Sequence, residues 1–235
     1  MKVGIMQPYL FPYIGYFQLI NAVDKFVIYD DVQYIKGGWI NRNKILVNQK
    51  AYMFTFSLKR DSSQLKIYER FFSDNFDKEK LKFFKTLKEN YGNLDNYNVI
   101  LPLLTEALDT NNQGNNISKI ITNSIKVICD YLEINTQIIN SVELDDNKSL
   151  CGEDRVIEIN KKLNSSHYIN SSGGKKLYSK EKFLSHGIML NFLESNSIQY
   201  TQNNVNYLPC LSIIDTLMFN SKEQVKIFLD EYNLT

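Results

Sequence analysis

The sequence predicts an α/β fold with a mostly parallel sheet flanked by helices, and three observations favour it. Short apolar runs that are typical of buried strands alternate with stretches whose apolar residues recur at helical spacing. The first strand, helix and strand of this pattern, at residues 2–6, 14–23 and 25–29, favour parallel pairing through a right-handed crossover. The 235 residues are also enough to bury one large core. We therefore predict one Rossmann-like domain over residues 1–235.

Two segments interrupt the alternation after the second strand. Residues 44–47 and 51–58 are typical of a β-hairpin around Asn48 and Gln49, which predicts a small lobe at the edge of the sheet. Residues 77–133 are mostly helical and predict an insertion able to form a subdomain. Its helices are expected at residues 78–91, 97–108 and 116–132, with a kink or break at Pro102.

The alternation of strands and helices resumes after this insertion. Strands are expected at residues 136–139, 167–170, 188–192 and 198–200. Helices are expected at residues 153–163, 180–186, 212–220 and 223–230. Ligands bind outside the carboxyl ends of the strands in open parallel sheets, so the residues that follow each strand are the candidates for a site.

Composition excludes several classes of function. The 27 basic and 26 acidic residues nearly cancel, so no broad nucleic-acid footprint or anionic membrane surface is expected. Three cysteines, far apart and without zinc spacing, indicate a reducing, cytoplasmic location. Only two histidines are present, which excludes a His-rich metal site, and no metal is expected. No run approaches the about 18 apolar residues of a membrane span.

The first candidate stretch is the opening loop QPYLFPYIGYF, which follows the first strand. Rossmann-like nucleotidyltransferases hold an H-x-G-H motif in this context, and here both histidine positions are tyrosine, at Tyr13 and Tyr16. Tyrosine stays neutral near pH 7, which makes adenylyl chemistry doubtful. We predict ligand contacts from the polar tips of Gln7, Tyr9, Tyr13 and Tyr16, and packing from Phe11 and Phe17. The alternative is that all of these rings pack under the sheet.

The second candidate stretch is the pair Asp30 and Asp31, which ends the second strand. Adjacent strand residues alternate in direction, so one carboxylate can face the crevice and act as a general base while the other orients backbone. The polar and aromatic residues that follow suit a diphosphate and a ring: Gln33, Tyr34, Trp39, Asn41, Arg42 and Asn43. Alternatives are a turn-forming aspartate pair and a structural salt bridge from Arg42 to Asp31.

Two further groups of candidates lie near later strands. The glycine-rich run after residue 170 offers free backbone N–H groups to a phosphate and contributes Gly173, Gly174, Lys175 and Tyr178, although a plain loop is the alternative. Asp215 lies on an apolar helix, and a packing hydrogen bond is the alternative to a site role shared with Gln202.

Several of these motifs together resemble the WbqC family. The matching stretches are MQPYLFPYIGYFQLI, DKFVIYDDVQYIKGGWINRN, HYINSSGGKKLY and LSIIDTLMFN, and the resemblance covers nearly the whole chain. It implies a role in O-antigen or other surface polysaccharide biosynthesis, on a dTDP- or UDP-linked amino sugar. The implied reaction is transfer of an acyl or aminoacyl group, such as glycyl, to the sugar amine.

Three functions follow as hypotheses. The first is N-acylation, with Asp31 accepting the amine proton and with acyl-CoA or a carrier-bound aminoacyl group as donor. The second is nucleotidyl transfer to a small acid, and the third is a non-enzymatic protein that binds nucleotide sugars. An acyl carrier and a second copy of the chain are left open as partners.

Overall fold

The computed structural model describes residues 1–111, 114–202 and 206–235, and it confirms the α/β fold. Six strands form one sheet in the order β5-β2-β1-β6-β7-β8. Every neighbouring pair is parallel except the last, in which β8 runs antiparallel to β7. The strands are β1 (Lys2–Met6), β2 (Lys25–Ile28), β5 (Gln137–Asn140), β6 (His167–Ser171), β7 (Met189–Ser195) and β8 (Tyr232–Leu234).

Eight helices surround this sheet in the described part of the chain. They are α1 (Ile14–Asn21), α2 (Phe76–Tyr91), α3 (Tyr97–Ala107), α4 (Ile117–Leu132), α5 (Gly152–Lys162), α6 (Lys180–Ser185), α7 (Ile213–Phe219) and α8 (Lys222–Leu229). Short 3-10 turns lie at Ile67–Glu69, Ser141–Glu143 and Ser172–Lys176. None of the described helices is both long and apolar enough to cross a membrane.

One predicted strand is absent, and the break that was one of the two possibilities at Pro102 does not occur. Residues 198–200 form no strand, because Tyr200 is tethered to Asp215 on α7 and β8 occupies the position beside β7 instead. The helix also does not break at Pro102, since α3 is continuous through it. Proline has no backbone N–H, so Pro102 cannot donate to the carbonyl of Asn98, four residues earlier. Asn98 is exposed, so water can bond its carbonyl instead.

Apolar side chains fill both faces of the sheet. The larger core gathers α1, α7, α8 and the helical insertion, and includes Phe17 and Phe26. The smaller core lies beneath α5 and α6, and includes Tyr168 and Phe183. With both faces covered, ligand access is left to the strand ends and to the lobes beside them.

The predicted hairpin lobe is present as β3 (Arg42–Val47) and β4 (Lys50–Thr55). Asn48 and Gln49 join the two strands with φ values of 47° and 63°. Positive φ at both central residues belongs to the type I′ turn, whose twist matches that of the flanking strands.

The opening loop is locked against this hairpin. Phe11 has a φ of 42°, an uncommon value for a bulky residue. The amide of Asn43 donates to the carbonyls of Leu10 (3.0 Å) and Phe11 (2.8 Å), and the Ser212 hydroxyl donates to the Phe11 carbonyl (2.7 Å). These buried bonds hold the strained turn in place.

We expect Asn43→Ala to lower the free energy of unfolding by about 1–3 kcal/mol, because it removes the donor to the buried Leu10 carbonyl and leaves the Phe11 carbonyl with Ser212 alone. Urea denaturation followed by circular dichroism measures the change. Asn98→Ala, at an exposed helical position, is the control and is expected to cost nothing. Equal stability of the two variants would show that Asn43 does not hold the loop.

Candidate functional site

A large cavity beside the hairpin lobe carries strong positive charge. Its volume is about 550 Å³, and we call it the arginine cavity. The cations that line it are Lys36, Arg42, Lys59, Arg60 and Arg70. Among the described lining residues Asp61 is the one acid, so the charge of the lining favours an anion. The chain has four arginines, and three of them lie here.

Two of these arginine side chains, Arg42 and Arg70, are held in place by neighbouring groups. Nη1 of Arg70 donates to the Ser62 carbonyl (2.7 Å), and its guanidinium lies 4.9 Å from the ring centre of Tyr34. Nε of Arg42 donates to the Gly38 carbonyl (2.9 Å). Each guanidinium has five N–H groups, so most of them remain for a ligand.

Tyr34 and Asn41 also line the arginine cavity. The sequence predicts that they share a site with Arg42, and the structure brings the three together. The Tyr34 hydroxyl donates to Oδ1 of Asn41 (2.8 Å). Burial raises the pKa of Tyr34 above its usual value, and the guanidiniums of Arg70 and Arg42 oppose that rise. The phenol therefore stays protonated at neutral pH and can donate a hydrogen bond.

A second cavity of about 310 Å³ lies where β2 and β5 end against α4, and we call it the Asp30 cavity. Buried polar side chains from three elements meet in it, namely Asp30, Asn116, Ser118 and Thr122, together with the half-buried Asn140. Lys119, Lys126 and Glu143 are exposed and stand at its rim. The two positive and two negative lining residues balance, unlike the arginine cavity.

Asp30 is held by donors from three elements. Its Oδ2 accepts from Ser118 Oγ (2.5 Å) and Asn140 Nδ2 (2.7 Å), and its Oδ1 accepts from the backbone N–H of Val142 (3.1 Å). These contacts connect the end of β2 to α4, β5 and the following 3-10 turn. Ser141 Oγ lies 3.1 Å from the same Oδ1, but its one proton goes to the nearer carboxylate of Asp31 (2.6 Å). Both acceptor positions of Oδ2 are therefore filled.

Asp31 points the other way, towards α5. Its Oδ2 lies 2.5 Å from Nη2 of Arg155 and 3.3 Å from Lys148, and its Oδ1 accepts from Ser141 (2.6 Å). The predicted salt bridge from Arg42 to Asp31 is therefore wrong, because the buried Arg155 takes that place. Strand alternation separates the two carboxylates, and Asp30 is the one that lines a cavity.

One paired segment connects the two cavities. Tyr68 donates its backbone N–H to the Asp30 carbonyl (3.0 Å), and Tyr34 donates to the Leu65 carbonyl (3.2 Å). Tyr68 lines the Asp30 cavity and Arg70 lines the arginine cavity. Asp30 and Tyr34 are four residues apart in the chain, so their Cα atoms are separated by at most about 13 Å.

The tyrosines of the opening loop line neither cavity. Tyr16 is buried and donates to the Gln7 carbonyl (2.9 Å), so its polar tip serves the loop itself. Tyr13 is 37% exposed and lies over Gly15, where an added Cβ would come 2.4 Å from the ring. Tyr9 packs on Tyr16 with ring centres 5.8 Å apart. Ligand contacts from these residues remain a prediction.

The remaining predicted residues are scattered. Gln33 donates to the Ser63 carbonyl, and Trp39 lies beneath the Lys44 ammonium. The glycine-rich run forms the 3-10 turn Ser172–Lys176 after β6, which contains Gly173 and Gly174, and Lys175 pairs there with Glu194. Tyr178 packs edge-on against Tyr168 and Phe183. None of these side chains lines either cavity.

Asp215 is the centre of a buried hydrogen-bond cluster. Its Oδ1 accepts from Tyr91 (2.8 Å), and its Oδ2 accepts from Tyr200 (2.8 Å) and Gln202 (2.7 Å). Burial raises the pKa of Asp215, although these donors partly oppose the rise. The cluster joins α2, α7 and the segment around residue 200, which favours the packing role over a ligand contact.

Sequence reasoning missed several residues of the two cavities. Asn140 is the last residue of β5, so the strand-end rule could have identified it. Ser118 and Arg70 carry no local signal, because a helix and an irregular segment bring them to the strand ends.

We expect the stability difference between the native protein and Asp215→Asn to depend on pH. The raised pKa of Asp215 stabilises the folded state of the native protein most at pH values below 3.8, the usual aspartate pKa. This stabilisation is lost as the pH rises through the pKa that Asp215 has in the folded protein. Urea denaturation of both proteins near pH 4 and near pH 7 measures it. A difference that stays constant would contradict the assignment.

Arg155→Met is expected to cost about 3–5 kcal/mol of stability, because it leaves the carboxylate of Asp31 buried beside fewer cations. Lys162→Met is the matched control on the same helix, where Lys162 pairs only with the exposed Asp145 at 3.9 Å. That control is expected to cost less than about 1 kcal/mol in the same urea titration. Equal losses of stability in Arg155→Met and Lys162→Met would show that Arg155 and Asp31 do not form a buried ion pair.

Comparison with known proteins identifies the family of the chain. The model of the WbqC-like protein family matches residues 7–227. A protein from Mycobacterium tuberculosis (strain ATCC 25618 / H37Rv), named uncharacterized protein Rv1507c, is 30% identical over 223 residues, which is 93% of each chain. No solved structure matches the chain. The chain belongs to the WbqC-like protein family.

Proposed function

We propose that this protein is a transferase that N-acylates a nucleotide-linked amino sugar in O-antigen or surface polysaccharide biosynthesis. The acceptor is a dTDP- or UDP-linked amino sugar, and the donor is acyl-CoA or a carrier-bound aminoacyl group. The proposal combines the family with the chemistry of the two cavities.

The observation that carries the proposal is the clustering of arginines. Arg42, Arg60 and Arg70 line one cavity in a chain with four arginines. The planar guanidinium presents paired donors that match phosphate oxygens, and it is preferred over lysine where geometry matters. Tyr34 adds a ring and a donor to the same wall. A diphosphate with an attached ring system fits this combination better than a simple anion does.

The second cavity gives the sugar a place beside the diphosphate. Asp30 and Tyr34 are four residues apart and so lie no more than about 13 Å from each other, within the length of a nucleotide-linked sugar. The lining of the Asp30 cavity is rich in hydroxyl and amide groups, which suit a neutral, hydroxylated ring. We therefore assign the sugar to the Asp30 cavity and the diphosphate to the arginine cavity.

The transfer needs a proton acceptor, because a sugar ammonium is not nucleophilic. We assign this role to the carboxylate at the end of β2 that lines a cavity, Asp30, in place of Asp31. The neutral amine attacks the thioester carbon, a C–N bond forms, and the C–S bond breaks. The departing thiolate takes the second amine proton, so the products are an amide and a thiol.

We expect UDP to bind the native protein, and to bind Arg42→Gln and Arg60→Gln about tenfold or more weakly, because each variant loses charge-assisted hydrogen bonds. Isothermal titration calorimetry measures the affinities. Lys85→Gln removes an exposed cation far from the arginine cavity and is expected to change nothing. Equal UDP affinity in all four proteins would exclude a diphosphate in this cavity.

The reaction itself is tested by mass spectrometry. A UDP- or dTDP-linked amino sugar is incubated with the protein and candidate thioesters, and N-acylation adds the mass of the acyl group. Binding that raises the melting temperature without product would support a nucleotide-sugar-binding protein instead. Pyrophosphate released from ATP and a small acid would support nucleotidyl transfer.

A further inference from the structure

Ser118 is a buried hydroxyl on the wall of the Asp30 cavity with unused hydrogen-bonding capacity. It lies in the first turn of α4 and is 2% exposed. Its Oγ donates its one proton to Asp30 (2.5 Å) and accepts from Asn140 Nδ2 (3.1 Å). A hydroxyl has two acceptor positions, so one remains unfilled by the described residues.

Oδ2 of Asp30, the oxygen that Ser118 contacts, has no such capacity. Its two acceptor positions are occupied by Ser118 and Asn140. A ligand could bind this oxygen directly only by displacing one of these donors, at the cost of a buried hydrogen bond. Contact with a ligand beside this oxygen therefore falls to Ser118, which lines the same cavity.

The free position on Ser118 selects the chemistry of its ligand. Only a hydrogen-bond donor can fill it, which excludes a phosphate or carboxylate oxygen. The short bond to an anionic carboxylate polarises the hydroxyl and favours a cationic donor such as an ammonium. The charged side chains that face this position are Asp30 behind it and Lys119, Lys126 and Glu143 at the rim, with no net charge.

We infer that Ser118 is the residue that binds the primary amine of the acceptor sugar and passes its proton to Asp30. An ammonium N–H donates to Ser118 Oγ, the ligand proton moves to that oxygen, and the proton of Ser118 moves to Oδ2 of Asp30. The ligand is left as a neutral amine with a free electron pair, and no other reactant is consumed. The transfer step rests on the proposed function, whereas binding of the amine does not.

Binding of free glucosamine, N-acetylglucosamine and glucose tests the amine site directly. We expect the native protein to bind glucosamine about tenfold or more tightly than the other two sugars, as measured by NMR titration. Ser118→Ala is expected to lose this preference, and Ser118→Thr, which keeps the hydroxyl, to retain it. Ser124→Ala is the matched control, because Ser124 is buried on the same helix and donates to the Ile121 carbonyl outside the cavity.

UDP affinity shows that each variant is folded. It also separates the diphosphate site in the arginine cavity from the amine site at Ser118. Ser118→Ala is expected to bind UDP as the native protein does, while its N-acylation rate falls at least tenfold. If the native protein does not bind UDP, the diphosphate assignment is overturned, and the comparison of glucosamine with the other two sugars still tests the amine site. An unchanged preference for glucosamine in Ser118→Ala, or no preference in the native protein, would overturn the role of Ser118.

Discussion

Two adjacent carboxylates at the end of β2 hold the site together. Because strand residues alternate in direction, Asp30 turns towards α4 and β5 while Asp31 turns towards α5. Ser141 lies between them and accepts the backbone N–H of both residues. Two buried negative charges are tolerated only where donors and a cation surround them, and Arg155 supplies that cation on the α5 side. Three elements that are distant in sequence are thereby fixed at one strand end.

The two cavities differ in chemistry because of this arrangement. Oδ2 of Asp30 is fully engaged by Ser118 and Asn140, which leaves the hydroxyl of Ser118 to face a ligand. The arginine cavity lies at the other end of the segment that pairs with residues 30–34, and its positive charge is not neutralised by its own lining. A molecule with a diphosphate at one end and an amino sugar at the other matches both surfaces, which is the physical basis of the proposed N-acylation.

Much of the fold could be predicted from the sequence, because apolar periodicity and turn chemistry are local signals. The strand-end rule also located Asp30, and the polar run after it supplied Arg42 to a real cavity. Polar residues were harder to interpret, since local sequence does not say where their partners lie. Asn43 bonds the carbonyls of the opening loop, and Asp215 bonds two tyrosines, one of them 124 residues away in sequence. Ser118 could not be predicted for the same reason, because its hydrogen bond to Asp30 joins residues that are distant in sequence.

A crystal structure of the protein with UDP-glucosamine tests the central claim most directly. We expect the diphosphate among Arg42, Arg60 and Arg70, and the sugar amine within hydrogen-bond distance of Ser118. This expectation would be contradicted by a ligand bound at the point where the strand order reverses between β1 and β6, beside Gly173 and the opening loop, with the arginine cavity empty.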